Sequence, residues 1–313
     1  GRRYPYFSHF GFNACSVIFM KEQDYAQLSR RARRLQLAAR SLVKSLRIGN
    51  FHSMYYGQGI EFSGVREYLR GDDVRAIDWN VTARLGKPYV KLFAEDRELN
   101  IFLVIDRSLS MNTGSHGKTR LEAAIETGEL LTLVAEQSSS PVGAVFFSNR
   151  IEFALSPKGG KNTVQLLLSQ FENYEPTKKR GSHLVNALTG TGKLLRKRSL
   201  IFIISDFRVG EWKKPFSYLA QRHDVIALRV SDPIDAELPD TGSLPFTDTE
   251  TGKRCIFPTS SSLFRREWRE AEEARVEKWK EDCVRYGGVP LILSTTDDPV
   301  LVLSRYFASR ERR

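Results

Sequence analysis

The stretch IFLVIDRSLSM, residues 101–111, decides the fold class of this chain. It begins with five apolar residues, reaches Asp106 at the sixth, and is followed by a helical pattern over Arg120–Glu136. The stretch SLIFIISD, residues 199–206, has the same design, because its apolar run also ends in an aspartate, Asp206. Short apolar runs flanked by amphipathic helices are typical of strands that are buried on both faces of a parallel sheet.

Patterns on both sides of these two stretches extend the same sheet. Further strands are predicted at 142–147, 151–155, 224–230 and 289–294, and further helices at 161–172, 183–197, 212–221, 261–286 and from about Pro299. The strands 142–147 and 151–155 are joined by SNR, which predicts a hairpin and one antiparallel edge strand. Residues 232–260 are predicted to be rich in turns. For residues 98–313 we therefore expect an α/β fold, a doubly wound and mostly parallel sheet with helices on both faces.

Two segments precede this domain. Residues 1–19 show neither a helical nor a strand pattern, so we expect a non-native or disordered extension ahead of a start at Met20. Residues 20–97 form the second segment, an N-terminal helix followed by a small irregular or β subdomain.

The N-terminal helix is predicted from Lys21 to Arg47, where apolar residues recur at spacings of three and four. Its stripe consists of Tyr25, Leu28, Ala32, Leu35, Ala39, Leu42 and Leu46. We expect this helix to dock on its own chain. Residues 48–98 are polar and irregular, with short strand-like pieces at Ile60–Phe62 and Tyr89–Phe93.

Charge and composition limit the classes of function. The net charge is +11 at pH 7, and the excess lies in residues 1–47 and 305–313, because residues 48–304 sum to zero. A nucleic-acid binder usually spreads its basic face over the folded body, so we expect no nucleic-acid partner and keep nucleic-acid or anionic-surface binding as an alternative. No apolar run reaches the roughly 18 residues of a membrane span. The 3 cysteines form no CxxC pair, which favours a reducing cytoplasmic location.

Ligands of an open α/β sheet bind beyond the carboxyl ends of its strands, near the point where the strand order reverses. The DxSxS loop of Asp106, Ser108 and Ser110 meets this rule, as does Asp206. A third candidate, Ser182, opens the predicted helix that precedes the second of these strands. Carboxylate and hydroxyl oxygens suit a hard divalent cation, Mg²⁺ or alternatively Mn²⁺ or Ca²⁺. A turn or a helix cap also explains each piece alone, so the prediction rests on their combination.

The segments IFLVIDRSLSM, GSHLVNAL and IFIISDF resemble the metal-ion-dependent adhesion site of von Willebrand factor A domains. The resemblance implies that the metal ligands are Asp106, Ser108, Ser110, Ser182 and Asp206. Ser182 stands where threonine is usual in that family, and serine keeps the oxygen but loses a methyl group that restricts its rotamer. An acidic side chain of a partner protein would fill the open coordination position.

Two longer segments resemble a bacterial family called "domain of unknown function 58". They are GIEFSGVREYLRGDDVRAIDWNVTARLGKPYVKLFAED, from Gly59, and SDPIDAELPDTGSLPFTDTETG, from Ser231. Together the resemblances cover most of residues 21–312. They imply a MoxR-type AAA+ ATPase as partner and a client protein that carries an acidic residue.

The GDD and IDW block inside the first of these segments has two interpretations. In one, Asp72, Asp73 and Asp78 converge on a metal. In the other, which we favour, the acids pair with neighbouring arginines in a structural or interface unit anchored by Trp79. The arginines concerned are Arg66, Arg70, Arg75 and Arg84.

The leading functional hypothesis is a non-enzymatic, metal-dependent protein-interaction module. The enzyme alternative is a metal-dependent phosphohydrolase, because haloacid-dehalogenase phosphatases carry DxD after a strand, with the first Asp as nucleophile. Ser108 replaces the second Asp here, so the acid/base group is missing. The chain also lacks GxxxxGK[ST], which excludes a P-loop GTPase or kinase.

Overall fold

The computed structural model describes residues 34–43, 61–94, 99–174, 181–247 and 254–309. The strands are β1 (Glu61–Glu67), β2 (Tyr89–Ala94), β3 (Asn100–Asp106), β4 (Val142–Phe147), β5 (Ile151–Lys158), β6 (Ser199–Ser205), β7 (Asp224–Ser231), β8 (Ser243–Thr247), β9 (Arg254–Pro258) and β10 (Val289–Ser294). The helices are α1 (34–43), α2 (Trp79–Leu85), α3 (Arg120–Gln137), α4 (Lys161–Glu172), α5 (Leu184–Leu194), α6 (Lys213–Ala220), α7 (Ser262–Arg285) and α8 (Pro299–Ser309). Within these ranges, no helix is both long and apolar enough to cross a membrane. The predicted extension 1–19 lies outside the described residues.

Six strands form the central sheet in the order β10-β7-β6-β3-β4-β5. Every neighbouring pair is parallel except β4 and β5, which form the predicted antiparallel hairpin at one edge. The chain moves from β3 toward one edge and from β6 toward the other, so the strand order reverses between β3 and β6. The predicted doubly wound, mostly parallel α/β fold is confirmed.

Helices cover both faces of this sheet and bury its central strands. Every residue of β3, β4 and β6 is buried. Along β3, Leu103 belongs to the core cluster with α1, α3, α4 and α8, whereas Phe102 belongs to the cluster with α5, α6 and α7. This alternation follows from the period of two in a strand, and it explains why both faces of β3 had to be apolar.

Helix α1 docks on the helical layer that contains α3 and α8. Ala39 and Leu42 of the predicted apolar stripe are fully buried in that layer. The side-chain amide of Gln137, at the end of α3, donates to the carbonyl oxygen of Gln36 over 3.0 Å. The prediction that this helix packs on its own chain is therefore confirmed for residues 34–43, and the rest of the predicted helix lies outside the described residues.

Two regions outside the central sheet each contain an antiparallel ribbon; the sequence predicts short strand-like pieces in the first and turns in the second. In residues 48–98, β1 and β2 pair as an antiparallel ribbon, and β1 extends to Glu67, past the predicted end at Phe62. In residues 232–260, β8 and β9 form a second antiparallel ribbon. These strands are short, carry charged residues or proline, and lie outside the central sheet, so they lack the apolar runs that reveal buried strands.

Candidate metal centre where the strand order reverses

The two carboxylates predicted to hold a metal lie on neighbouring strands at the point where the strand order reverses. Asp106 is the last residue of β3, and Asp206 directly follows β6. The two residues are 0% and 2% exposed, respectively. Because the carboxyl ends of adjacent parallel strands meet at one edge of the sheet, the fold joins residues that are 100 positions apart in the sequence.

Asp106 is the centre of the hydrogen bonds in this site. Its Oδ1 accepts from the Ser108 backbone N–H over 2.8 Å, and its Oδ2 accepts from the Ser205 hydroxyl over 2.7 Å. The Ser182 hydroxyl lies 3.5 Å from the same Oδ2. The hydroxyl oxygens of Ser108 and Ser110 are 3.2 Å apart. The structure therefore places Ser182 near the Asp106 carboxylate and the Ser110 hydroxyl next to that of Ser108 in the adjoining loop.

The electrostatics of the pair are unfavourable without a cation. Burial, together with the negative charge of Asp206, raises the pKa of Asp106 to about 7, although hydrogen bonds from Ser108 and Ser205 act in the opposite direction. Oδ1 of Asp206 accepts from the Arg208 backbone N–H over 3.2 Å, but the buried Oδ2 has no hydrogen-bond partner among the described residues. A buried carboxylate oxygen without a donor costs about 1–3 kcal/mol or more. A bound cation would remove that cost.

The donor set fits a hard divalent cation. Two carboxylates and three hydroxyls offer only oxygen atoms, which Mg²⁺ prefers, and Mg²⁺ usually keeps several waters in place of further protein ligands. In the described ranges, no group of three or more His, Cys, Asp and Glu side chains is placed to hold a metal. A cation held by these two carboxylates would take further ligands from the hydroxyls, and the five-residue assignment stays a prediction.

The backbone just after β6 is shaped by Phe207. This residue has φ of 52°, in the left-handed region, which a non-glycine residue adopts at a cost of roughly 1–2 kcal/mol. Its N–H donates to the Ser205 hydroxyl oxygen over 3.1 Å. Its ring packs on Trp212 and Trp279 with centroid distances of 5.4 and 5.3 Å. This packing holds the turn that directs Asp206 toward the site.

Comparisons with known proteins identify the family. A family model described as "Protein of unknown function DUF58" matches residues 64–278. The chain belongs to the DUF58 family. Uncharacterized proteins of Mycobacterium bovis and Mycobacterium tuberculosis are each 30% identical to it over 294 residues, which cover 92% of this chain and 92% of each relative. A shorter uncharacterized protein of Mycobacterium avium is 32% identical over 160 residues, 50% of this chain and 92% of that protein.

Solved structures with a similar fold include von Willebrand factor A-domain proteins. The SpRpn10 VWA domain aligns with 66% of this DUF58 chain and 94% of its own chain, at 9% identity and a TM-score of 0.35. An aerotolerance-related membrane protein of Bacteroides fragilis covers 68% of this chain and 98% of its own, at 15% identity and a TM-score of 0.40. The fold of this DUF58 protein is α/β, with a mostly parallel six-stranded sheet.

A buried ion-pair cluster in the DUF58 protein joins the loops around the site. The Asp235 carboxylate contacts Arg120 at the start of α3 and lies 2.7 Å from the guanidinium of Arg208, just past Asp206. Although burial acts in the opposite direction, these two arginines hold the pKa of Asp235 below its usual value. The Arg120 guanidinium also reaches toward the carbonyl oxygen of Ser110 in the DxSxS loop. Asp235 therefore ties both halves of the site together.

Asp232 fixes the loop that follows the DxSxS segment. Its carboxylate accepts from the Ser115 backbone N–H over 3.0 Å and from the Thr295 hydroxyl over 2.7 Å, and the Ser115 hydroxyl also donates to it. Sequence reasoning did not assign Asp232 or Asp235 a role. The available signal was their position directly after β7, whose carboxyl end lies at the same edge of the sheet as those of β3 and β6.

The carboxylates of the GDD and IDW block have structural partners. Both oxygens of Asp72 are bound by the Arg66 guanidinium over 2.7 Å. Asp73 accepts from the Arg75 backbone N–H over 2.9 Å, and Asp78 caps α2. The predicted pairing of acids with arginines is confirmed for Asp72 and Arg66, whereas Asp73 and Asp78 are N-caps and do not pair with Arg70, Arg75 or Arg84. The role assigned to Trp79 is wrong, however. Trp79 is the first residue of the short helix α2, is 66% exposed and anchors no core.

Proposed function

We propose that this DUF58 protein is a non-enzymatic interaction module that binds partner proteins through a divalent cation, Mg²⁺ or alternatively Mn²⁺ or Ca²⁺. Ser108, Ser110 and Ser182 would be direct ligands, and Asp106 and Asp206 would act through water. A cation held there supplies an electrophilic coordination position for a carboxylate oxygen of a partner. The proposal carries no catalytic step, because Ser108 stands where a phosphohydrolase needs its acid/base aspartate.

The unpartnered Oδ2 of Asp206 is the observation that supports this proposal most. It is buried beside Asp106, whose pKa is raised to about 7, and no donor of the described chain satisfies it. Native proteins rarely leave a buried carboxylate oxygen in that state without a ligand or ordered water. The surrounding oxygen atoms suit a cation better than an anion or an apolar group.

The partners follow from the family resemblance and from charge. A cation with few direct anionic ligands keeps net positive charge and attracts an outside carboxylate. We therefore propose an acidic side chain of a client protein as the sixth ligand and a MoxR-type AAA+ ATPase as the functional partner, both in the cytoplasm.

Calorimetric titration of MgCl₂ and MnCl₂ into the EDTA-treated, dialysed chain tests the metal site. We expect one binding event, which Asp106→Ala abolishes because it removes the negative charge that holds the cation's water shell. Asp240→Asn is the matched control, because the Asp240 side chain is 65% exposed and distant in sequence from the site loops. Unchanged affinity in Asp106→Ala would refute the site assignment.

Substitution of Ser182 tests the third hydroxyl. We expect Ser182→Thr to bind Mg²⁺ as well as or slightly better than the parent, because the added methyl restricts the rotamer. Ser182→Ala should weaken binding at least several-fold. If both variants bind like the parent, Ser182 is not a ligand and the third hydroxyl lies elsewhere.

Binding of the purified MoxR-type ATPase from the same host tests the partner. The two proteins are mixed with MgCl₂ or with EDTA, and association is measured by analytical ultracentrifugation. We expect a complex only with the cation, and none with the Asp106→Ala variant. Equal association in EDTA would show that the partner binds elsewhere.

A further inference from the structure

The ribbon formed by β1 and β2 carries a folded connection at one end. Its last pair of strand residues is Glu67 and Tyr89, and residues 68–88 join them. The Asp78 backbone N–H donates to the Tyr89 carbonyl oxygen over 2.7 Å, and the Tyr89 N–H donates to the Thr82 hydroxyl oxygen over 3.0 Å. These bonds fold the whole connection back onto the first residue of β2, so its side chains share one end of the ribbon.

This connection exposes large apolar side chains and buries none in its helical parts. Leu69 is 63% exposed, Val74 57%, Trp79 66% and Leu85 57%. Neither α2 nor the short helical turn Val74–Ala76 contains a buried residue. A group of exposed apolar side chains this dense on a small unit typically marks an interaction surface.

The same connection carries positive charge that its acids do not neutralise. Asp72 is held by Arg66, Asp73 and Asp78 accept from backbone N–H groups, and Glu67 pairs with Lys87. The guanidinium groups that remain exposed and make no ion pair with any described residue are those of Arg70, Arg75 and Arg84. The Asp78 carboxylate also lies 3.9 Å from the Lys91 ammonium group, so the charge of Asp73 offsets only part of the charge of these three arginines, and the excess is left for another molecule.

We propose that this end of the ribbon, the tip surface, docks an acidic segment of a partner protein that has an apolar or aromatic anchor. The tip surface consists of Leu69, Arg70, Val74, Arg75, Trp79, Arg84 and Leu85. Tryptophan and arginine are the residues that most often dominate binding energy at interfaces, and arginine pairs bidentately with carboxylates. The tip surface acts without the cation site, so this proposal is independent of the proposed metal-dependent function.

Charge argues against the other occupants. A second copy of this chain would present the same three arginines, and like charges brought together disfavour association. The N-terminal segment 1–47 has a net charge of +8, so it is also a poor match for the tip surface. An acidic partner removes the repulsion and covers the apolar side chains at the same time.

A pair of designed peptides tests the tip surface. The acidic probe is a fluorescein-labelled 18-residue helical peptide with leucine and phenylalanine on one face and glutamate on the other. The matched probe carries lysine in place of each glutamate. We expect fluorescence anisotropy to show at least tenfold tighter binding of the acidic probe, unchanged by EDTA.

Variants locate the binding to the tip surface. We expect Trp79→Ala to weaken binding of the acidic probe about tenfold, and the triple variant Arg70→Ser, Arg75→Ser, Arg84→Ser to weaken it at least as much. Trp79→Phe should recover part of the loss. The controls are Leu263→Ala and Arg266→Ser, two exposed residues of α7, which should leave binding unchanged.

Trp79 also provides an internal signal, because Trp212 and Trp279 are buried and Trp268 is half-buried. We expect the acidic probe to shift the Trp79 emission to shorter wavelength.

Equal binding of the two probes, or binding that the tip-surface variants do not change, would overturn the proposal. Self-association that Trp79→Ala abolishes would also overturn it, in favour of a second copy as occupant. Loss of cation binding elsewhere in the chain would leave every one of these results unaffected.

Discussion

Asp106 and Asp206 share one site but differ in hydrogen bonding. Asp106 accepts from a backbone N–H and from the Ser205 hydroxyl, whereas Asp206 accepts from the Arg208 N–H and keeps an unpartnered oxygen within the described structure. A carboxylate whose oxygens are both bonded within the chain holds the loop in place. The other carboxylate keeps an oxygen without a donor among the described residues, so the two acids differ in hydrogen bonding although the proposed function uses both through water.

We expect Ser205→Ala to lower the free energy of unfolding by about 1–3 kcal/mol, because two buried polar groups lose a partner. The Ser205 hydroxyl donates to Asp106 over 2.7 Å and accepts from the Phe207 N–H over 3.1 Å. Chemical denaturation measures the change. Ser262→Ala, at an exposed position of α7, is the control and should change stability by less than about 0.5 kcal/mol. Equal stability of both variants would contradict the anchoring role.

His223 makes stability depend on pH below neutrality. It is 4% exposed and neither ring nitrogen has a hydrogen-bond partner among the described residues. Burial, and then the charges of Arg222 and Arg198, lower its pKa, although Asp224 acts in the opposite direction. The unfolded chain therefore binds the proton more tightly, and stability falls as pH drops below about 6.5. When the pH is lowered from 7.5 to 5, we expect the melting temperature of His223→Phe to fall by less than that of the parent.

The control for this pH dependence is His116→Phe, because His116 is exposed. Its melting temperature should follow the parent across the same pH range. An unchanged slope in His223→Phe would assign the acid sensitivity to other groups.

At the scale of elements, Asp235 in the loop after β7 forms ion pairs with Arg120 of α3 and with Arg208 in the turn after β6. The Asp235 and Arg120 side chains are 9% and 4% exposed, so their ion pair is buried. Removing one partner of a buried pair leaves an uncompensated charge and typically costs about 3–5 kcal/mol. We expect Asp235→Asn to destabilise the fold by that amount in chemical denaturation.

Asp240→Asn is the matched control for Asp235→Asn. Asp240 pairs with Arg265 at 3.1 Å, but its side chain is 65% exposed. An exposed ion pair contributes about 0–1 kcal/mol, so this variant should remain close to the parent. Similar losses in the two variants would show that burial does not distinguish the two pairs.

Elements differed in how far the sequence could predict them. Strands β3 and β6 were predictable because burial on both faces requires continuous apolar runs. Strands β8 and β9 were missed, and β1 was predicted too short, because these strands lie outside the central sheet and carry charge or proline. The DxSxS loop and Asp206 were predicted from the rule for strand ends, and Ser182 from its place at the start of a predicted helix, but Asp235 was missed because Arg120 lies 115 positions away in the sequence. A pair so distant leaves no local pattern.

At the scale of the whole molecule, α1 connects the N-terminal part of the chain to the sheet domain. Leu42 is 0% exposed and Leu37, on the same helix, is 64% exposed. We expect Leu42→Ala to lower the free energy of unfolding by about 2–5 kcal/mol. Leu37→Ala should change it by less than about 0.5 kcal/mol. Docking of α1 as part of the core would be contradicted if α1 melted separately from the domain. In that case Leu42→Ala would leave the main melting transition unchanged.

The position of β6 next to β3 also determines when the cation site exists during protein synthesis. The ribosome delivers β3, β4 and β5 in succession, so this half of the sheet can assemble first. The pairing of β3 with β6 closes a loop of nearly a hundred residues, and such long-range contacts form slowly. A nascent chain that stops before residue 199 holds Asp106 but lacks Asp206. Under the proposed function, capture of the cation would therefore mark the moment at which translation and folding of the sheet have both passed β6.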